Sequence, residues 1–205
     1  MPIQINVERR QFRRERQYLV PELLVGNFMG DFVKGNLNDR FPRRISQGVA
    51  LHRRIDSFAS QNELFQRSRK RLDPSYGLYR PVLVDLFYDH LLSVEWGNWS
   101  DEPLAGYIAR TRAIIERHSE ILPERLQPLV PYIFEEMLPS YAEVSGIGRA
   151  LERMSRRVKR RDNPLAGGEA ELLLNYEGLQ ADFSGFMPLI CRFTLNMSDD
   201  LSLIH

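Results

Sequence analysis

Cysteine is almost missing from this chain: Cys191 is the only one in 205 residues. An internal disulfide and a thiolate zinc cluster are therefore excluded, and a reducing compartment, the cytoplasm, is the expected location. No apolar run approaches the roughly twenty residues of a membrane-spanning helix, and the N-terminus lacks the apolar core of a secretory signal. A surplus of charge is missing too, with 28 basic against 27 acidic side chains, so no global electrostatic argument for nucleic acid is available. Strand-like alternation, internal repeats and low-complexity tracts are all lacking. What is left is helical periodicity between prolines and glycines. It predicts an all-α protein: a single compact domain of about seven or eight helices over 21–195, with an arm at 1–20 and a tail at 196–205.

The arm, Glu8-Arg-Arg-Gln-Phe-Arg-Arg-Glu-Arg-Gln17, holds five arginines against two glutamates and reads as solvated rather than packed. From Pro21 to Gly35 the spacing of Leu24, Phe28 and Phe32 predicts a helix. Gly26 and Gly30 inside it imply close backbone approach. Pro42 to Ala59 predicts a second, with Ile45, Val49, Leu51, Ile55 and Phe58 as its apolar positions. Asn62 to Leu72 predicts a third, whose Arg67, Arg69, Lys70 and Arg71 read as a solvated face.

The centre of the chain is Pro81 to Trp96, where a proline opens a helix and apolar residues cover nearly its whole circumference. Later helices are expected to Leu122, between Pro128 and Pro139, from Arg149 to Arg161 and from Gly168 to about Arg192. A turn at Ser145-Gly-Ile-Gly148 is expected to precede the third of these. That helix, at 149–161, carries seven cations against Glu152, which fits either a solvated face or a docking surface.

Three of these helices deliver carboxylates and imidazoles among apolar neighbours: Asp31; His52 and Asp56; Asp85, Asp89 and His90. Histidine and aspartate four apart share a helix face, as do Asp85 and Asp89. His118, the other internal histidine, reads as exposed. Buried carboxylates must be paired, protonated or bound to an ion. An imidazole–carboxylate set without thiolate suits manganese, iron, magnesium or zinc. An ion held there polarises a phosphoryl oxygen and activates water, while Lys34, Arg53 and Arg54 are candidates to hold phosphate. The residues alone therefore point to a metal-dependent hydrolase. An ordinary helix-surface pair remains the competing account of His52 with Asp56.

Four motifs occur in a familiar order: Gly26-Asn-Phe-Met-Gly-Asp-Phe-Val-Lys-Gly35, His52-Arg-Arg-Ile-Asp56, Asp85-Leu-Phe-Tyr-Asp-His90 and Arg153-Met-Ser-Arg-Arg157. Together they resemble the acyl carrier protein phosphodiesterases, a family regarded as distantly related to the helical HD-type phosphohydrolases. The resemblance implies manganese-dependent release of 4'-phosphopantetheine from a carrier-protein serine. It implies that Asp31, His52, Asp56, Asp89 and His90 are metal-site or catalytic positions, with Asp31, Asp89 and His90 in the chemistry and Asp85 as a ligand or a carboxylate behind the ligands. It also gives Arg153, Arg156 and Arg157 a purpose, because acyl carrier proteins are strongly acidic. Members of the family begin near Met-Asn-Phe-Leu-Ala-His, and the implied ligand histidine has no counterpart in the first twenty residues here. The competing functions are an HD-type hydrolase of a nucleotide or other small phosphoester, a degenerate carrier-protein binder and, most weakly, a nucleic-acid binder.

Overall fold

The structure is a computed structural model that describes residues 20–37, 40–158 and 163–203, with side chains to residue 197. The arginine-rich arm and Lys159, Arg160 and Arg161 lie outside the described residues. Those described are helical with no strand, as the periodicity predicts.

Helix α1, Pro21–Phe28, starts on a proline whose missing N–H costs nothing at that position. It does not continue to Gly35. It ends at Met29 and gives way to a single 3₁₀ turn, Gly30–Phe32, before Gly35 turns the chain at φ +80°. Helix α2, Arg43–Gln61, buries Ile45, Gly48, Val49, Leu51, His52 and Ile55. α1 and α2 cross with their backbones in contact. A Cβ on Gly26 would sit 2.1 Å from the Ile45 carbonyl oxygen, and one on Gly48 would sit 2.3 Å from that of Leu23.

Helix α3, Glu63–Arg71, opens on an Asn62 side chain that accepts from the Leu64 N–H, a standard N-cap. Helix α4, Arg80–Val94, is the centre of the domain, with Leu83, Val84, Leu86, Phe87, Tyr88, Leu91 and Leu92 all buried. One helical turn follows at Trp96–Trp99 and then α5, Leu104–Arg117, which stops short of the expected Leu122. His118 caps it and donates from Nδ1 to the Ile114 carbonyl at 2.8 Å. Residues 130–140 form α6, whose α-helical turns at Val130–Tyr132 and Leu138–Ser140 flank a π-helical stretch at Ile133–Met137.

Helix α7, Val144–Arg157, starts earlier than the sequence suggests. Gly146 lies inside its first turn, where a Cβ would fall 1.9 Å from the Ser140 carbonyl oxygen, so the position requires glycine. The expected final helix is two: α8, Glu169–Leu174, and α9, Tyr176–Leu203, separated at Asn175. The Asn175 side chain donates to the Glu171 carbonyl at 3.0 Å and closes α8.

Arg67, Lys70 and Arg71 of α3 are exposed, as the reading of a solvated face expects, but two of them also take part in a polar lock that runs across α3, α4 and α9. Asp182 of α9 is fully buried and pairs with both Arg67 and Arg71, while Ser68 donates to it at 3.1 Å and lies 2.9 Å from the Tyr88 hydroxyl. Burial pushes the Asp182 carboxyl up, but hydrogen bonds from Arg71, Arg67 and Ser68 outweigh it and hold the group below its ordinary value. Arginine at i and i+4 of an amphipathic helix gives no local sign that its partner lies more than a hundred residues away.

Candidate active site

The candidate site is assembled on the α1–α2 pair. His52 and Asp56 lie one turn apart on α2, and His52 Nε2 is 3.0 Å from Asp56 Oδ2. The same nitrogen is 3.3 Å from Asp31 Oδ1, on the 3₁₀ turn after α1. Among the described residues Asp31, His52 and Asp56 form a group whose ligand atoms all lie within 4.8 Å of one another. The imidazole is buried while both carboxylates reach the surface, so the cluster opens to solvent on its acidic side.

Gly30 is where this turn meets α2. A Cβ on it would lie 2.2 Å from Cγ of His52 and 2.4 Å from Cδ2. The backbone of the Asp31 turn therefore rests directly on the imidazole, and only glycine permits that approach.

The electrostatics follow from this packing. Burial works against a charged His52, but hydrogen bonds to Asp31 and Asp56 prevail and raise its pKa to about 9. The same hydrogen bond lowers Asp31 to about 2. Burial, reinforced by the charges of Asp56 and Asp31, raises Asp85 on α4 to about 6. The charges of both cluster aspartates thus reach Asp85.

The other expected residues are distributed differently. Asp89 is fully buried one turn along α4, where its charge, after burial itself, raises the hydroxyl of Tyr141 well above its ordinary pKa. That hydroxyl is buried without a hydrogen-bond partner among the described residues. His90 is engaged by residues outside the cluster. Its Nδ1 is 2.9 Å from the Tyr141 carbonyl and its Nε2 is 3.3 Å from the Tyr176 hydroxyl. A carbonyl only accepts, so Nδ1 carries the proton and Nε2 accepts from Tyr176. Burial holds His90 below its ordinary pKa, against the hydrogen bond to Tyr141.

Of the cations, Lys34 lies close enough for its charge to help keep Asp31 ionised. Arg53 instead donates to the carbonyls of Val33 and Gly35 at 3.0 and 2.9 Å. Arg54 reaches across to Sδ of Met197 at 3.2 Å.

A second feature lies between α6 and α7, where Arg149, Arg153, Arg156 and Arg157 line a groove of about 610 Å³ together with Tyr132 and Met137. The guanidinium of Arg153 lies 3.8 Å above the Tyr132 ring, a cation–π contact that sets its direction. Arg156 is paired with Glu152 at 2.7 Å.

The model of the family described as acyl carrier protein phosphodiesterase matches residues 17–190. The chain belongs to that family. It is 30% identical over 172 residues to the acyl carrier protein phosphodiesterase of Photorhabdus laumondii, covering 83% of this chain and 86% of that protein. To the protein of the same name from Pectobacterium atrosepticum it is 32% identical over 173 residues, covering 83% and 89%, and to that from Klebsiella pneumoniae (strain 342) 31% over 181 residues, covering 87% and 93%. No solved structure matches. The family match thus takes in α1 to α8, the Asp31–His52–Asp56 cluster and the basic groove.

Sequence reasoning singled out every member of the cluster. It missed what surrounds them: Tyr141 and Tyr176 as partners of His90, Tyr132 beneath Arg153, and the carbonyls that engage Arg53. Gly30, read as a close approach because a glycine inside an amphipathic pattern marks a contact that a side chain would block, points to the His52 ring and to none of these partners.

Proposed function

We propose that the chain is a metal-dependent phosphodiesterase that hydrolyses 4'-phosphopantetheine from the serine of holo-acyl carrier protein, leaving the apo carrier. The observation that carries this reading is the convergence of Asp31, His52 and Asp56 within 4.8 Å, in a chain of this family. One imidazole and two carboxylates, with Asp85 alongside, are the donor set that manganese accepts, and magnesium, iron and zinc tolerate. The fit also has an electrostatic side. Two carboxylates on one imidazole already carry more negative charge than that ring can offset, the charge of Asp85 adds to it, and a divalent cation offsets the remainder. When bound, the ion supplies Lewis-acid polarisation of the phosphoryl group and activation of water.

In this reading His52 gives up its proton to become a ligand, with Gly30 fixing the plane of its ring. Lys34, beside Asp31 at the open side, meets the phosphate. Asp89 extends the acidic wall of α4 inward from Asp85. His90, with both nitrogens engaged, braces α4 against α6 and α9. The groove of Arg149, Arg153 and Arg157 holds the acidic carrier, Arg156 contributing less because Glu152 offsets its charge.

The test is to incubate the purified chain with holo-acyl carrier protein and Mn²⁺ and to read the intact mass of the carrier. Loss of the phosphopantetheine mass, abolished by chelator and by His52→Ala, Asp56→Ala and Asp89→Ala, is the expected result. No mass change from protein that has taken up metal refutes the carrier-protein reading. Arg153→Glu with Arg157→Glu should raise KM for the carrier and leave a small phosphodiester unaffected.

A further inference from the structure

The three donors of the cluster are not held equally well. His52 and Asp56 are fixed to each other by one turn of a nineteen-residue helix. Asp31 sits on a three-residue 3₁₀ turn with its side chain 62% exposed. Neither burial of the carboxylate nor helix geometry determines where its oxygens lie. Something else has to hold that turn against α2.

Two contacts do so. Upstream of Asp31, the Gly30 backbone lies against the His52 ring. Downstream, Nη2 of Arg53 donates to the carbonyls of Val33 and Gly35, two and four residues past Asp31. One guanidinium nitrogen spends both of its N–H groups on the loop that leaves the turn, in the directed geometry that arginine provides and an ammonium does not. Arg53 directly follows His52 in α2, so the strap is anchored on the same helical turn as the imidazole. Among the described residues no carboxylate pairs with it.

We propose that Arg53 is a positioning residue that straps the Asp31 turn onto α2 and holds the Asp31 carboxylate within ligand distance of His52, rather than a phosphate anchor. The proposal rests on reading Asp31, His52 and Asp56 as a metal site. The measurement is Mn²⁺ affinity, by titration calorimetry or by the loss of the free-ion EPR signal, on the full chain. Wild type, Arg53→Met, Asp31→Asn and the double variant are compared, with Arg54→Met as the control for loss of a neighbouring charge.

Arg53→Met should weaken Mn²⁺ binding about tenfold or more, as loss of a group that orients a ligand does, with Arg54→Met near wild type. In the Asp31→Asn background the further loss from Arg53→Met should vanish, because the strap acts through Asp31. A phosphate anchor gives the opposite pattern: Arg53→Met would keep wild-type Mn²⁺ affinity and raise KM alone, overturning the proposal. An equal loss in both backgrounds would also overturn it, as a general structural effect. Amide hydrogen exchange of residues 30–36 in the metal-free protein separates the strap from the metal reading. Faster exchange in Arg53→Met supports the strap even if wild type binds no Mn²⁺, and unchanged exchange overturns it.

Discussion

The crossing of α1 and α2 gives the sharpest test of how packing positions the site. Consider Gly48→Ala. An added Cβ at Gly48 would lie 2.3 Å from the Leu23 carbonyl oxygen and 2.9 Å from both the Asn27 nitrogen and the Gly26 Cα. All three are backbone atoms, so no rotamer change relieves the contact and α1 must move. Overpacking of this kind costs about 1–3 kcal/mol, and alanine returns about 0.5–1 kcal/mol through its greater helix propensity. The net loss is on the order of 1–2 kcal/mol. For a chain of this size each kcal/mol lowers the melting temperature by about 2–4 °C.

The movement also carries the Asp31 turn away from His52, so metal affinity should fall together with stability. Gly97→Ala is the matched control: it lies in a helical turn with nothing within 4 Å of the new Cβ and should melt at or slightly above wild type. Thermal melting and Mn²⁺ titration of the two variants decide the matter. A Gly48→Ala protein that melts like Gly97→Ala and keeps wild-type metal affinity would refute the reasoning from the crossing to the site.

Asp182→Ala should cost about 1–3 kcal/mol, because buried Ser68 loses an acceptor while Arg67 and Arg71, both partly exposed, turn to water; a urea midpoint within experimental error of wild type would refute the lock. The depressed Asp182 carboxyl stabilises the fold above its unfolded pKa and ceases to do so as pH falls through its lower folded value, so wild-type stability should fall with acidification through that window, and Asp182→Ala should show a shallower acid limb. His52 has the reverse sign. Its pKa is raised to about 9, so its ion pairs stabilise metal-free protein fully below its unfolded value near 6.5 and are lost as pH rises through about 9. Over the same window affinity for a divalent cation should climb, since the ion displaces that proton. Melting curves and metal titrations at pH 6, 7.5 and 9 should show the two trends crossing, and flat curves would refute the assignment.

Some of this was legible in the chain and some could not be. The apolar circumference between Pro81 and Val94 marks α4 as central because a helix with no polar face has nowhere else to go. His52 and Asp56 declare their shared face by spacing alone, and Gly26 announces a close approach. Its counterpart Gly48 does not, because half of a crossing says nothing about which residue lies opposite. The pairing of Arg67 and Arg71 with Asp182 and of His90 with Tyr176 spans 86 residues or more in sequence, beyond any local periodicity. The break of α1 before Asp31 was hidden because Phe32 keeps the helical spacing, and Gly30 gives no local sign that it faces the His52 ring.

All three donors of the candidate centre come from a stretch of 26 residues that runs from the 3₁₀ turn after α1 into α2. The centre is therefore a neighbourhood of low contact order within the fold: closing the loop between Asp31 and His52 costs little chain entropy, and the contacts that position it can form before α3 to α9 dock. The groove between α6 and α7 is drawn from residues a hundred positions later. Site and groove can consequently vary independently in sequence, one set by how two glycines let α1 and α2 touch, the other by which side chains the far helices display.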